Sequence, residues 1–293
     1  MKFFAPISAA IAVFAAQVNA NGVCYDPDHA SVSGAMTAES VKADMATIKS
    51  HGFTTVRTYI SKFGDTNLGQ VISSCNVTSA VGVPYPQSDY VEQMEAAVTA
   101  ANSGGVAYIF VGNENLAGAA EVPYDMIDVI KKIKSLVPST VKVGTVQRNT
   151  EVINYAGINN WPALYAVVDV LGVNAHPYFN PGTTADNAID VLNNQWTVME
   201  ANFGDKLMLT ETGWPSDGTL SGNTGSIAGI QTFYSDYKSW SSSKGESFYF
   251  QLFDTPYKTT AYEKTFGLLT SDSVAKFDLA AASQTAGTVK AGW

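Results

Sequence analysis

The chain has 293 residues, 46% of them hydrophobic, and a formal net charge of −9. That is enough apolar material for a full core. The acidity argues against nucleic acid as a partner and is compatible with a neutral one.

In chain order, residues 1–20 read as a secretory signal. Lys2 provides the positive start, an apolar run follows from Phe3 to about Ala16, and Val18-Asn19-Ala20 forms a small-residue cleavage pattern. The apolar run is too short to span a bilayer and no basic stop-transfer flank follows, so no membrane anchor is expected. Export places the mature chain outside the cell.

Eight short β-branched or aromatic runs come next, at 22–25, 54–60, 80–85, 107–112, 141–146, 168–175, 206–211 and 247–253. Several are near-continuously apolar, as parallel strands covered on both faces are. Amphipathic segments separate them. Residues 38–51 place Val41, Met45 and Ile48 at helical spacing and stop at Gly52. Helices are also expected at 88–102, 124–136, 184–203 and 226–243, with weaker patterns at 65–74 and 150–166. Strand and helix alternating eight times predicts an α/β fold, a single-domain (β/α)8 TIM barrel over 21–280, with a doubly wound open sheet as runner-up. The closing helix is poorly marked, and 281–293 reads as a loose tail without a lipid-anchor signal.

Cys24 and Cys75 are the two cysteines. Export permits a disulfide. Two buried free thiols are favoured, because Cys24 lies in a strand and Cys75 follows a helix ending at the opposite rim. Three scattered histidines and two distant cysteines form no metal motif, and no cofactor is expected. The sequon Asn76-Val77-Thr78 offers an N-glycan site if its loop is exposed.

In such a barrel, chemistry sits at the C-terminal ends of the strands. The fourth run leads into Asn113-Glu114, and the seventh ends in Thr210-Glu211-Thr212-Gly213-Trp214. A lone glutamate after a strand is usually a solvated loop charge. Two of them, leaving opposite strands on one face, match the needs of glycoside hydrolysis. There one carboxylic acid protonates the leaving oxygen, and the other attacks the anomeric carbon or activates water. Arg57 and Tyr59 are two apart on the second run and share a face. Arg57 is either a site residue or a buried ion pair, while the Tyr59 hydroxyl suits holding a nucleophile ionised. His176 reads as a rim residue, since two glutamates fill both proton-transfer and nucleophilic roles. Aromatic platforms suit sugar faces. Tyr25, Tyr178, Trp214 and Phe253, at strand ends, are the expected ones, with Tyr85 and Tyr257 left open.

With TETGWPS at 210–216, VGNE at 111–114, GVCY at 22–25, VRTY at 56–59 and EKTFGLL at 263–269, the chain resembles glycoside hydrolase family 17 from about Gly22 to Leu279. That family comprises β-1,3-glucanases and their glucosyltransferase relatives. The resemblance implies a retaining, endo-acting enzyme on β-1,3-glucan, with Glu114 as acid/base and Glu211 as nucleophile. It also implies that Asn113 binds the sugar 2-hydroxyl, that Tyr59 lies in the site, and that Lys258 and Glu263 flank the two carboxylates. Thr255 stands where the family usually carries another Glu. Residues 176–187 are too short for the subdomain of plant members and resemble the fungal form. Two other readings stay open: a β-1,3-glucanosyltransferase using the same glutamates, and a non-catalytic cell-wall glucan-binding protein. A barrel hydrolase for another β-linked glucan or galactan lacks a reason for the TGWPS turn.

Overall fold

The computed structural model describes residues 22–30 and 36–280. The expected signal and tail lie outside these residues. Eight parallel strands form one sheet: β1 (Gly22–Cys24), β2 (Thr55–Arg57), β3 (Thr78–Val83), β4 (Val106–Asn113), β5 (Lys142–Arg148), β6 (Val170–Asn174), β7 (Leu207–Glu211) and β8 (Phe248–Tyr249). The hydrogen-bonded order runs from β8 through β1 and onward to β7. The remaining seam is bridged by Phe250 N–H donating to the Thr212 carbonyl at 2.8 Å, which brings the sheet to a nearly closed (β/α)8 barrel.

Side-chain alternation sorts two apolar layers. Cys24, Ala80, Phe110, Val146, Val170, Met208 and Phe248 fill the barrel interior. Their alternates, among them Val23, Tyr25, Val81, Ile109 and Leu209, face the helices. Helix α1 (Ala38–Ser50) begins with a Thr37/Ser40 capping box and buries Val41, Met45 and Ile48. Each such side chain contributes about 1.5–3 kcal/mol by leaving water. The other helices are α2 (Leu68–Ser74), α3 (Tyr90–Ser103), α4 (Tyr124–Leu136), α5 (Asn149–Ile153), α6 (Trp161–Val167), α7 (Ala188–Phe203), α8 (Ile227–Ser241) and the single turn α9 (Ala261–Lys264). The weak pattern at 150–166 breaks into α5, a 3-10 turn and α6, with Asn160 left-handed just before Pro162 sets the first turn of α6. After β8 no long helix forms among the described residues. A strap over 264–280 takes its place, held where Lys276 Nζ donates to Asp254 (2.6 Å) and Ser216 (2.7 Å).

Both cysteines are free, Cys24 buried and Cys75 half-buried, so the expectation of burial holds fully only for Cys24. Asn76 is exposed between α2 and β3, at the rim opposite the strands' C-terminal ends. Among the described residues no helix is long and apolar enough to cross a membrane.

Candidate active site

The two glutamates leave β4 and β7 at β-bulges. On β4 the pairing with β5 slips between Phe110 and Asn113, and on β7 the pairing with β6 slips so that Asn174 meets Glu211. Strict alternation from inward Phe110 would turn Asn113 outward. Alternation from inward Met208 would likewise turn Glu211 outward. Each extra residue re-aims the next side chain toward the mouth. Gly112 and Glu114 both adopt left-handed backbone, with φ of 74° and 57°. The turn is pinned by Glu114 N–H donating to the Val146 carbonyl and by Gln147, whose amide donates to Asn115 and accepts from Leu116 N–H.

Arg57 organises the floor. Its Nη1 donates to Glu211 Oε1 at 2.6 Å and to the Thr210 carbonyl at 3.1 Å, while Nη2 donates to Asn113 Oδ1 at 2.7 Å. Its guanidinium lies over the Tyr59 ring, 4.8 Å from the centroid. The second Glu211 oxygen is 3.2 Å from His176 Nε2. Asn174 Nδ2 donates to Glu114 Oε1 at 2.7 Å and to Asn113 Oδ1 at 3.1 Å, and its own Oδ1 accepts from Thr210 at 2.9 Å. One connected network therefore runs from Glu211 through Arg57, Asn113 and Asn174 to Glu114.

The network sets the two carboxyls apart. Burial, and next the negative charge of Glu211, raise the Glu114 carboxyl above its ordinary range, against the Asn174 hydrogen bond, His176 and Arg148. Burial works in the same direction on Glu211, but the Arg57 charge and the bonds from His176 and Arg57 outweigh it and hold that carboxylate below its ordinary range. A protonated acid beside an ionised carboxylate suits paired acid and nucleophile chemistry.

Both glutamates line a cleft of about 530 Å³, with Asn113, Tyr59, Lys258 and Glu263 also in its wall. Thr255 is there as well, and its hydroxyl donates to the Glu263 carbonyl, so no third carboxylate projects from that position. Tyr257 lines the same cleft and its hydroxyl donates to Asp26, while Tyr85 lines a side pocket of about 190 Å³. The bonds to Glu211 come from Arg57 and His176. Tyr59 contributes its ring beneath the guanidinium instead of a hydroxyl to the carboxylate.

Four expected platforms do not line the cleft. Tyr25 points outward by strand alternation, and its hydroxyl donates to Asp44 on α1 at 2.6 Å. Phe253 lies buried, stacked on His29 at 3.9 Å. Trp214 and Tyr178 pack edge to face at 5.0 Å under the loop after β7. There Asn223, on the hairpin Thr219–Leu220/Asn223–Thr224, donates to the Tyr178 and Asn180 carbonyls at 2.7 Å and fixes the turn Pro177–Phe179. That turn buries Tyr178 completely and leaves Phe179 46% exposed on the cleft. Phe250, two residues on from inward Phe248, and Phe266 complete the aromatic wall. Among the residues that sequence reasoning missed are Asn174, Phe179, Phe250 and Phe266. For Phe250, the two-residue spacing from Phe248 was a usable signal.

The BtgE/BtgC glycoside hydrolase domain model matches residues 22–267. A probable beta-glucosidase (btgE) of Aspergillus flavus is 31% identical over 69% of this chain and 34% of its own length. A probable family 17 glucosidase of Saccharomyces cerevisiae is 29% identical over 86% of this chain and 65% of its own. The chain thus spans about a third of the length of the Aspergillus relative it matches. Among solved structures, a glycoside hydrolase family 17 beta-1,3-glucanosyltransferase from Rhizomucor miehei superposes with a TM-score of 0.72 at 23% identity, covering 89% of this chain and 97% of that one. A beta-1,3-glucanase and allergen of Cryptomeria japonica pollen superposes at 0.63 with 18% identity, covering 88% and 97%.

Proposed function

The chain belongs to the BtgE/BtgC glycoside hydrolase domain family, and from that premise we propose that it cleaves β-1,3-glucan with retention of configuration. In this reading Glu114 protonates the glycosidic oxygen. Glu211 attacks the anomeric carbon to form a glycosyl-enzyme, and the leaving sugar departs. Glu114, now a carboxylate, then takes the proton of the incoming hydroxyl as its oxygen displaces Glu211. Asn113, held by Arg57 and Asn174, faces the position of the sugar 2-hydroxyl, and Lys258 and Glu263 bind further along the cleft. The observation that carries the proposal is the opposed setting of the two carboxyls. One is ion-paired to a buried arginine at 2.6 Å, and the other is half-buried against an amide.

The activity and linkage named for the relatives support β-1,3-glucan as substrate, and the open cleft supports internal cleavage. Export through residues 1–20, a wall or extracellular location, and a glycan on Asn76 belong to the same proposal. Such a glycan would hang from the rim away from the cleft.

The test uses an aryl β-laminaribioside. Glu211→Ala should lose turnover by about three or more orders of magnitude, the scale of removing a nucleophile. Added azide should restore an α-glycosyl azide. Glu114→Ala with azide should yield the β-glycosyl azide. Near-normal turnover by Glu211→Ala would overturn the assignment.

A further inference from the structure

The β1 loop enters the cleft only in its middle. Asp26, Pro27 and Asp28 line the same pocket as Glu211, whereas Tyr25 and His29 on either side of them are buried and turn back toward α1. For Tyr25 the cause is strand alternation: Cys24 faces the barrel interior, so its neighbour faces the helices. Both side chains meet one atom there. Tyr25 donates its hydroxyl to Asp44 Oδ2 at 2.6 Å, and His29 Nε2 lies 3.2 Å from that same oxygen. His29 Nδ1 is buried without a partner among the described residues, so its ring is oriented by Asp44 and by stacking on Phe253 at 3.9 Å.

Asp44 stands on the stripe by which α1 packs on the barrel, one turn from both Val41 and Ile48, and it does not line the cleft. With Tyr25 and His29 anchored behind, the residues between them are pressed forward. Their turn is closed by His29 N–H donating to the Asp26 carbonyl at 3.1 Å and by Asp28 N–H donating to Asp26 Oδ1 at 2.9 Å. The Tyr257 hydroxyl, from the loop after β8, donates to Asp26 Oδ2. Both Asp26 oxygens are thereby occupied. The Asp28 carboxylate makes no hydrogen bond or ion pair among the described residues, so it is the group left to accept from sugar hydroxyls. A carboxylate set in advance binds without the ordering cost that a free loop would carry.

We propose that Asp44 is a positioning residue for substrate. From α1, without touching the sugar, it holds Tyr25 and His29, and through them it sets the Asp28 carboxylate against the sugar chain that lies over Glu211. Its effect falls on affinity and not on turnover. This rests on the reading of the cleft as a glucan site.

The experiment measures KM and kcat of the full chain for an aryl β-laminaritrioside by released phenol. Asp44→Ala removes the shared acceptor and should raise KM about tenfold, the loss of one hydrogen bond to a charged group, with kcat retained. Asp44→Asn keeps an oxygen able to accept from both anchors and should bring KM back toward the natural value. Tyr25→Phe cuts one anchor and should raise KM by less than Asp44→Ala does. It serves as the readout if that variant fails to fold. A carboxylate with only a structural role would lower kcat through loss of folded protein and leave KM in place. An unmoved KM therefore overturns the positioning role while phenol release by the natural chain leaves the glucan reading standing. No phenol release by the natural chain removes the underlying reading, and the proposal with it.

Discussion

Arg57 is where the two carboxyls are set apart. Its side chain is buried, yet its charge is met by Glu211 on one nitrogen and by Asn113 on the other. A lysine has no fork with which to span both partners. Arg57→Gln leaves the buried Glu211 carboxylate without its ion-pair partner, with the His176 contact remaining, which costs about 3 kcal/mol at neutral pH. Urea unfolding of natural and variant chains measures it. The depressed folded value of Glu211 means that its stabilising contribution is present above the unfolded value, near 4.3, and lost as pH falls through the folded one. The stability gap should therefore narrow in acid. Under the proposed mechanism, the acidic limb of the pH dependence of kcat/KM reports Glu211 ionising and the basic limb reports Glu114 losing its proton. Arg57→Gln should move the acidic limb to higher pH. A limb that stays in place would mean that the arginine does not set Glu211.

At the scale of elements, β4 and β7 each end in a bulge, β4 followed by a tight turn, and the site depends on those irregularities. Gly112 is the point at which the β4 turn is least tolerant. A Cβ there would lie 2.2 Å from Asn115 Oδ1, in a backbone region that side chains rarely adopt. Asn115 is itself held by Gln147, so it has little freedom to withdraw. Gly112→Ala is expected to cost about 1–3 kcal/mol through the strained turn. At this chain length that is a melting temperature lower by about 2–4 °C for each kcal/mol. Displacing Glu114 should also reduce kcat/KM about tenfold or more, because misplacement on the ångström scale is costly. Calorimetric melting with laminarin hydrolysis checks both, and an alanine variant with natural melting and turnover would show the turn to be permissive.

Across the whole molecule, two apolar layers and the strap after β8 hold the barrel together, with no disulfide between Cys24 and Cys75. Burial pushes the Cys24 thiol up to about 12, and its Sγ donates to the Thr210 carbonyl beside Glu211. That thiol is inert as long as the barrel is closed. A thiol reagent should therefore modify Cys75 in the native protein and both cysteines only in denaturant, and reductant should leave the melting temperature unchanged. Rapid native modification of both would show that the barrel opens near β1.

Periodicity together with the count of eight alternations and the chain length made the barrel legible over an open sheet, because strands covered on both faces and amphipathic helices leave their pattern in the local order of residues. The two glutamates were legible too, since the ends of β4 and β7 follow from counting strands. Tertiary structure decided which neighbours serve them. Asn174 is an unremarkable inward strand residue until the β4 bulge turns Asn113 and Glu114 toward it. Tyr178 and Phe179 differ as residues in ways that favour tyrosine on a cleft, yet the distant Asn223 hairpin fixes a turn that buries the first and exposes the second. A side chain's direction at a strand end is set by contacts from other segments, and those contacts exist only once the chain has closed on itself.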